Sequence, residues 1–150
     1  MILHFAYGSN MNRAVMRRHG PGAEPIGIAA LPNYRFLITA HGHASVAPCR
    51  TSTVYGVLWR LTPRDCATLA AWENIAAGLY RAAILPVRRN GRRRALVYVA
   101  CSQKEGAPQV GYMDVVIAAA LEWQLPLPYI AELREWSQRR PRRLRAFRWT

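Results

Sequence analysis

The chain opens with Ile2-Leu3-His4-Phe5-Ala6-Tyr7-Gly8-Ser9-Asn10-Met11, an apolar run that stops abruptly at Gly8. An apolar run bounded by a turn signal predicts a buried strand. Gly8 permits backbone angles that other residues resist, and Ser9 and Asn10 carry short hydrogen-bonding side chains. A strand that ends this way can turn several backbone N–H groups toward one point, where they bind an anion or a developing oxyanion. The alternative is an ordinary strand-to-helix turn with an Asn or Ser cap.

Apolar periodicity, caps and turn signals predict the remaining elements. The predicted helices are residues 10–19, 63 to about 72, 112–123 and 129–137. The predicted strands are residues 25–31, 34–38, 44–47, 54–61, 79–88 and 93–101, with a loop at 39–44. Pro32 and Asn33 are expected to separate two of these strands, and Pro126 and Pro128 to end the third helix.

Three local signals are specific. Thr62 can cap a helix whose first position is Pro63, and Asp65 can complement the exposed N–H groups of its first turn. Asn90-Gly91 between two apolar runs predicts a tight β-hairpin. Gly56, inside a run of β-branched and aromatic residues, predicts either a bulge or a close backbone approach.

The order of these elements predicts an α+β fold. Strands come first, one helix lies between strands, and two helices close the chain, which favours a mainly β core curled into a barrel or a strongly bent sheet with flanking helices. The length of 150 residues is typical of one domain. We therefore expect residues 1–150 to form a single domain without internal repeats or linkers, with a basic tail from about residue 138.

Composition excludes several classes of protein. No apolar run approaches the ~20 residues that span a bilayer, and the N-terminus lacks the basic leader and cleavage site of a signal peptide. Cys49, Cys66 and Cys101 are odd in number and widely spaced. This argues against a disulfide framework and for a reducing, cytoplasmic compartment.

The formal net charge is +13, and all basic residues except Lys104 are arginines. The arginines cluster around Asn90-Gly91 and in the C-terminal tail, so nonspecific binding to polyanions is one hypothesis. No helix-turn-helix, zinc-finger or aromatic-basic RNA motif accompanies them, so a role in nucleic-acid binding is not favoured. The near exclusion of lysine favours a compositional bias instead. Nothing in the composition predicts an oligomeric state.

Glu73 is the acidic residue with the most unusual surroundings. It follows a predicted helix and precedes Asn74-Ile75-Ala76-Ala77-Gly78-Leu79-Tyr80, so nearly all its neighbours in the chain are apolar. Desolvation raises the pKa of a carboxyl group toward the range of a general base. The alternative is a solvated glutamate at a helix end, although a helix C-terminus disfavours negative charge.

Other catalytic chemistries are not favoured. His41-Gly42-His43 has no evident third ligand, so no metal site is predicted. Ser9 does not lie in a G-x-S-x-G elbow and has no visible Asp–His partners, which argues against a serine hydrolase.

Two segments together resemble the γ-glutamylcyclotransferase-like (AIG2-like) family. Tyr7-Gly8-Ser9-Asn10 is similar to the family's Y-G-S-[NL] loop, and Glu73, followed by Gly78 and Tyr80, is similar to its E-x4-G-x-Y block. The central strands around residues 44–48 and 54–59, and Tyr112 ahead of a helix and a Leu-Pro-Leu-Pro segment, also resemble the family. The likeness extends over roughly residues 2–136.

The resemblance implies a small mixed barrel and a cyclisation that needs no cofactor and no metal. A γ-glutamyl amide of a dipeptide or amine would close to 5-oxoproline and release its amine. Glu73 would be the general acid/base, the loop from Tyr7 through Gly8 and Ser9 to Asn10 would hold the glutamyl end, and Tyr80 and Tyr112 would line the pocket. The implied partner is this small substrate, and neither a membrane nor a nucleic acid.

Some features depart from the family pattern. The family often has Gly after the catalytic Glu, whereas this chain has Asn74, a residue that also tolerates a left-handed backbone. The residues that contact the leaving group are expected in the loops at 39–43 and 102–111. Two alternatives remain open: a noncatalytic module of the same fold that binds a small carboxylate, and a basic protein that binds polyanions.

Overall fold

Five strands close into a barrel in the computed structural model, which describes residues 1–73, 75 and 77–140. They are β1 (Ile2–Ala6), β2 (Glu24–Ile38), β3 (Ala44–Leu61), β4 (Tyr80–Arg88) and β5 (Arg92–Ala100). Around the barrel their order is β1-β3-β2-β4-β5. All neighbours are antiparallel except β1 and β5, which close the barrel in parallel. The predicted α+β fold with a small mixed barrel is therefore confirmed.

The described residues form four α-helices and one 3-10 turn, which flank the barrel. The 3-10 turn is Ser9–Met11, and the helices are α1 (Arg13–His19), α2 (Pro63–Trp72), α3 (Tyr112–Glu122) and α4 (Leu127–Ser137). All four helices lie where the sequence predicts a helix, whereas two pairs of predicted strands are each joined into one strand and several boundaries differ. No described helix has both the length and the apolar character that crossing a membrane requires.

Two predicted helix starts were wrong. Residues 10–11 belong to the 3-10 turn, and α1 begins only after Asn12, because the Asn12 side chain accepts hydrogen bonds from the N–H groups of Ala14 and Val15. The last helix starts at Leu127 rather than at residue 129. Pro128 lies in its first turn, where a missing N–H removes no helical hydrogen bond.

The second and third strands are each longer than predicted. Asn33 does not end β2, because it adopts a left-handed backbone with φ of 67° and the strand continues past it as a bulge. Pro32 pairs with Thr53, and Tyr34 already pairs with Pro48. The intervening residues 49–52 of β3 are the extra length at this bulge, so the two separate strands predicted at 44–47 and 54–61 are one.

Three local predictions are confirmed. The Thr62 hydroxyl accepts from the N–H of Asp65 while the Asp65 carboxylate accepts from the N–H of Thr62, which forms a complete capping box for α2. Asn90 and Gly91 both have positive φ, at 51° and 103°, as a tight hairpin between β4 and β5 requires. A Cβ atom at Gly56 would overlap the carbonyl oxygen of Ala6 on the neighbouring β1, so Gly56 permits a close approach of two strands.

Side chains reinforce the seam where β1 meets β5. The parallel ladder there has one paired position, His4 with Leu96. The His4 Nδ1 atom also lies 3.1 Å from the Leu96 carbonyl oxygen, and the Tyr7 hydroxyl donates to the carbonyl of Tyr98. Buried carbonyls on β5 therefore receive their hydrogen bonds from side chains, which holds the end of β1 against β5.

The interior of the barrel and the helices around it form one continuous apolar core. Its fully buried side chains come from every layer of the fold, including Phe5, Leu58, Leu69, Val97 and Leu133. The three cysteines are free, as predicted. This packed barrel is the rigid frame on which the ends of β1, α2 and β4 meet.

Candidate active site

The Tyr7–Met11 segment follows β1 and turns back sharply. The Gly8 carbonyl accepts from the N–H of Met11, and the Ser9 carbonyl accepts from the N–H of Asn12, which produces the 3-10 turn. The first N–H groups of such a turn have no carbonyl partner within it and can bind an anion. Gly8 has φ of −114°, so it is needed for space rather than for a positive φ. A Cβ atom there would lie 2.7 Å from the Tyr112 hydroxyl oxygen.

Glu73 faces this turn from the end of α2. It is the C-cap residue of that helix, and its N–H donates to the carbonyl of Leu69 at 2.8 Å. Its Oε1 atom lies 3.4 Å from the Nδ2 atom of Asn10, which donates to it. The chain folds so that two groups 63 residues apart come into contact across one cavity.

Burial makes Glu73 a plausible proton acceptor at neutral pH. Desolvation raises the pKa of its carboxyl group to about 7, and the hydrogen bond from Asn10 opposes part of this rise. A carboxylate with this pKa exchanges protons readily near pH 7. The predicted desolvation of Glu73 is thus present in the structure.

Asn10 has a second functional atom. The residue is buried, and its Oδ1 atom has no hydrogen-bond partner among the described residues. The amide must present its NH2 group to Glu73, because a carboxylate only accepts hydrogen bonds. The carbonyl oxygen therefore remains as an unused acceptor at the cavity wall. A buried acceptor without a partner is costly, and a bound donor removes that cost.

Tyr80 and Tyr112 hold the backbone of Ala44 from two sides. The Tyr80 hydroxyl donates to the Ala44 carbonyl at 2.6 Å, and the Tyr112 hydroxyl accepts from the Ala44 N–H at 3.1 Å. Burial, supplemented by the negative charge of Glu73, raises the pKa of both phenols, so both stay protonated. Tyr112 also contacts His43 edge-to-face, with 5.3 Å between ring centroids. The two tyrosines thereby fix the start of β3 beside the 3-10 turn.

Tyr7 is placed differently from the other predicted site residues. Its ring lines the cavity, but its hydroxyl is used in the bond to Tyr98 at the barrel seam. Burial raises the pKa of this phenol as well. Tyr7 therefore contributes a wall and a structural bond, and its hydroxyl is not available as a donor to a ligand.

One cavity of about 790 Å³ contains all the predicted site residues. They are Tyr7, Gly8, Ser9, Asn10, Glu73, Tyr80 and Tyr112. The loops predicted to contact a leaving group also contribute to the lining, through Thr39, His41, His43, Ser102 and Gln109. Asn74 and residues 141–150 of the predicted tail lie outside the described residues.

The sequence prediction missed several lining residues. They include His4, Trp72, Leu79, Tyr98 and Cys101. Trp72 and Leu79 carry a usable signal, since each is adjacent in sequence to a predicted site residue. His4 and Tyr98 carry none, because they reach the cavity only through the closure of β1 against β5.

The cavity has few charged groups. Among its described lining residues Glu73 is the only carboxylate, and none is Arg or Lys. Three histidines, His4, His41 and His43, line it, but no group of three or more His, Cys, Asp and Glu residues in the described part of the chain could hold a metal ion. The arrangement suits an acid/base reaction of a small polar molecule.

The sequence model of the AIG2-like family matches residues 53–133, more than half of the chain. Two proteins named gamma-glutamylcyclotransferase are similar in sequence. The Mus musculus protein is 26% identical, with 89% of this chain and 77% of that protein covered. The Homo sapiens protein is 24% identical with the same coverage.

Solved structures share the fold. A structure titled gamma-glutamyl cyclotransferase matches with a TM-score of 0.84 at 21% identity, covering 93% of this chain and 88% of that one. YkqA from Bacillus subtilis matches with a TM-score of 0.82 at 24% identity, covering 93% of this chain and 55% of that one. The TM-scores establish that the architecture is shared, and the match to the family model establishes membership: the chain belongs to the AIG2-like family, as its Y-G-S-N and E-x4-G-x-Y segments predict.

Proposed function

We propose that this protein is a cyclotransferase that converts a γ-glutamyl amide into 5-oxoproline and a free amine. One observation carries the proposal: the partly buried Glu73 carboxylate, with a pKa of about 7, meets Asn10 of the 3-10 turn inside a single cavity. A general base is most effective when its pKa lies near the working pH. The similarity to proteins named gamma-glutamylcyclotransferase supports the same chemistry.

The substrate itself supplies both reacting groups. Glu73 accepts a proton from the α-ammonium group, and the resulting amine attacks the γ-carbonyl carbon to form the new C–N bond of a five-membered ring. The carbonyl electron pair moves to oxygen and returns as the bond to the leaving nitrogen breaks. That nitrogen keeps the bonding pair and takes a proton from Glu73. After giving up this first proton, Glu73 accepts the second proton from the ring nitrogen and passes it to the amine, which leaves as an ammonium ion. The α-nitrogen thus loses two protons and the leaving nitrogen gains two, so water and redox partners are not needed. Holding the two groups in one conformation supplies much of the rate.

The surrounding groups have matching roles in this proposal. The unpaired Oδ1 atom of Asn10 accepts a hydrogen bond from the α-ammonium group and places it beside Glu73. The N–H groups of Ser9 and Asn10, which have no carbonyl partner within the 3-10 turn, hold the glutamyl carboxylate or the oxyanion. The Tyr112 hydroxyl, which accepts one bond from Ala44, still has a proton to donate toward the same end of the substrate.

Release of 5-oxoproline tests the proposal directly. Purified protein is incubated with γ-glutamyl dipeptides, γ-glutamyl amines and glutathione, and both products are quantified by mass spectrometry. We expect 5-oxoproline and free amine in equal amounts from at least one compound, without added metal or cofactor. Saturable binding of these compounds without any turnover would contradict the enzyme and favour a noncatalytic module that binds a small carboxylate.

A further inference from the structure

Two apolar side chains stand exposed at the mouth of the cavity, on either side of Glu73 in the sequence. Trp72 is 53% exposed and Leu79 is 41% exposed, and both line the cavity. Apolar and aromatic side chains that line a concave site are typical ligand contacts. We call these two residues the apolar shelf.

One face of the Trp72 indole packs against His19. The His19 ring of α1 stacks on Trp72 with 3.9 Å between ring centroids and 24° between ring planes. Burial lowers the pKa of His19, and the nearby Arg18 charge adds to this, so the neutral imidazole predominates at pH 7. A ring held on one face and exposed on the other offers a ligand a surface that needs little ordering on binding.

The charges that line the cavity disfavour an anionic leaving group. The described lining contains neither Arg nor Lys, in a chain with 21 such residues, and its one carboxylate is Glu73. Burial lowers the pKa of His43, so this imidazole is neutral at pH 7 as well. A carboxylate or phosphate on the leaving group would find no Arg or Lys partner in this lining and would be repelled by Glu73.

The two loops that line another part of the cavity are already hydrogen-bonded to each other. The Gln109 side chain donates to the His41 carbonyl at 2.8 Å, and its backbone N–H donates to the Gly42 carbonyl at 3.1 Å. The Ala40 N–H donates to the Lys104 carbonyl at 2.8 Å. The loops at 39–43 and 102–111 thus use many of their polar groups on one another. The cavity of about 790 Å³ exceeds what a glutamyl group fills, and the shelf residues are part of its apolar lining.

We propose that Trp72 and Leu79 determine specificity by binding the leaving group, which presents an aromatic or branched aliphatic chain and no carboxylate to the cavity. This inference rests on the proposed cyclotransferase activity and adds the chemical class of the departing amine. Contact with the shelf persists from bound substrate through ring closure, so the preference is expressed in kcat/KM.

Matched amides test the shelf. The probes are the γ-glutamyl amides of methylamine, 3-methylbutylamine, benzylamine and 4-carboxybenzylamine. We expect kcat/KM for the benzylamide to exceed that for the methylamide and for the 4-carboxybenzylamide by about 10-fold or more, the scale on which apolar contacts discriminate. Equal kcat/KM values for the benzylamide, the methylamide and the 4-carboxybenzylamide would overturn the inference.

Substitutions test whether Trp72 and Leu79 determine the preference for the benzylamide over the methylamide. Trp72→Ala and Leu79→Ala are each expected to lower kcat/KM for the benzylamide several-fold while changing the value for the methylamide little, and Trp72→Phe is expected to restore most of the loss. Leu127→Ala is the control, because Leu127 is 73% exposed on α4 and does not line the cavity. Parallel losses for both amides in folded shelf variants would overturn the assignment.

Binding separates this inference from the proposed function. Calorimetry with the Glu73→Gln protein measures affinity for the same amides without turnover. Tighter binding of the benzylamide than of the methylamide, together with no 5-oxoproline from the wild-type protein, would refute the enzyme and support the shelf. Equal affinities for the two amides would refute the shelf, whatever the turnover of the wild-type protein.

Discussion

At the scale of single residues, the ionisation of Glu73 predicts how activity depends on pH. The carboxyl must be ionised to accept a proton, and its pKa is about 7. We therefore expect kcat/KM for a γ-glutamyl amide to rise between pH 5.5 and 8 with an apparent pKa near 7. An activity that is constant across this range would contradict the role of Glu73.

Asn10 should move that pH profile in a defined direction. Its hydrogen bond to Oε1 favours the ionised form of Glu73 and so lowers the pKa of the carboxyl. Asn10→Ala should therefore shift the acidic limb of the kcat/KM profile to higher pH, in addition to lowering its plateau. A lower plateau with an unmoved limb would mean that Asn10 only binds substrate.

The same burial predicts a change in stability. The pKa of Glu73 is raised from 4.5 to about 7 in the folded protein, so ionisation at high pH destabilises the fold. The folded state loses this free energy as the pH rises from about 4.5 through 7. Glu73→Gln should add on the order of 2–3 kcal/mol to the free energy of unfolding at pH 8 and almost nothing at pH 4.5. Urea denaturation at both pH values measures it, and equal effects at both would contradict the desolvation.

At the scale of elements, the crossing of β1 and β3 depends on Gly56. A Cβ atom there meets the Ala6 carbonyl and the Phe5 ring, and a backbone carbonyl in a paired strand cannot move aside cheaply. Gly56→Ala should lower the free energy of unfolding by roughly 1–3 kcal/mol or more. Gly20→Ala is the matched control, because the Cβ atom there would make ordinary contacts of 3.4 Å or longer. Similar denaturation midpoints for the two variants would contradict this close approach.

At the scale of the whole molecule, the high positive charge predicts weak binding to polyanions that is separate from the cavity. In the Arg-rich β4–β5 hairpin, Arg89 donates to the Ile28 carbonyl and Arg93 to the Arg89 carbonyl, whereas Arg92 and Arg94 are exposed. Affinity for DNA should fall steeply with salt, and the double change Arg92→Ala and Arg94→Ala should lower it without changing 5-oxoproline release. Affinity that does not depend on salt would contradict this electrostatic origin.

Much of the architecture was predictable because its signals are local. The Asn90-Gly91 hairpin and the capping box at Thr62 each depend on a few adjacent residues. The lengths of β2 and β3 were not predictable in this way. A Pro-Asn pair ends a strand in one context and forms a bulge in another, and the choice at Asn33 depends on the partner strand.

The site was predictable in its members but not in its contacts. The resemblance of two motifs to the family predicts that residues 7–10 and Glu73 belong to one site, and both line the same cavity. Three sets of hydrogen bonds join residues that are distant in the sequence. They are the bond from Asn10 to Glu73, the bonds of Tyr80 and Tyr112 to the Ala44 backbone, and the bonds of His4 and Tyr7 to β5. No periodicity or spacing encodes such contacts, because they arise when the barrel closes.

The most direct test of the central claim compares 5-oxoproline release by the wild-type, Glu73→Gln and Glu135→Gln proteins. Glu135 is an exposed residue on α4 and does not line the cavity, so its variant controls for the loss of one carboxylate. With all three proteins shown to be folded by circular dichroism, we predict that Glu73→Gln loses at least about 10²-fold in kcat, the scale of a general acid/base, while Glu135→Gln matches the wild type. Undiminished turnover by folded Glu73→Gln would contradict the account.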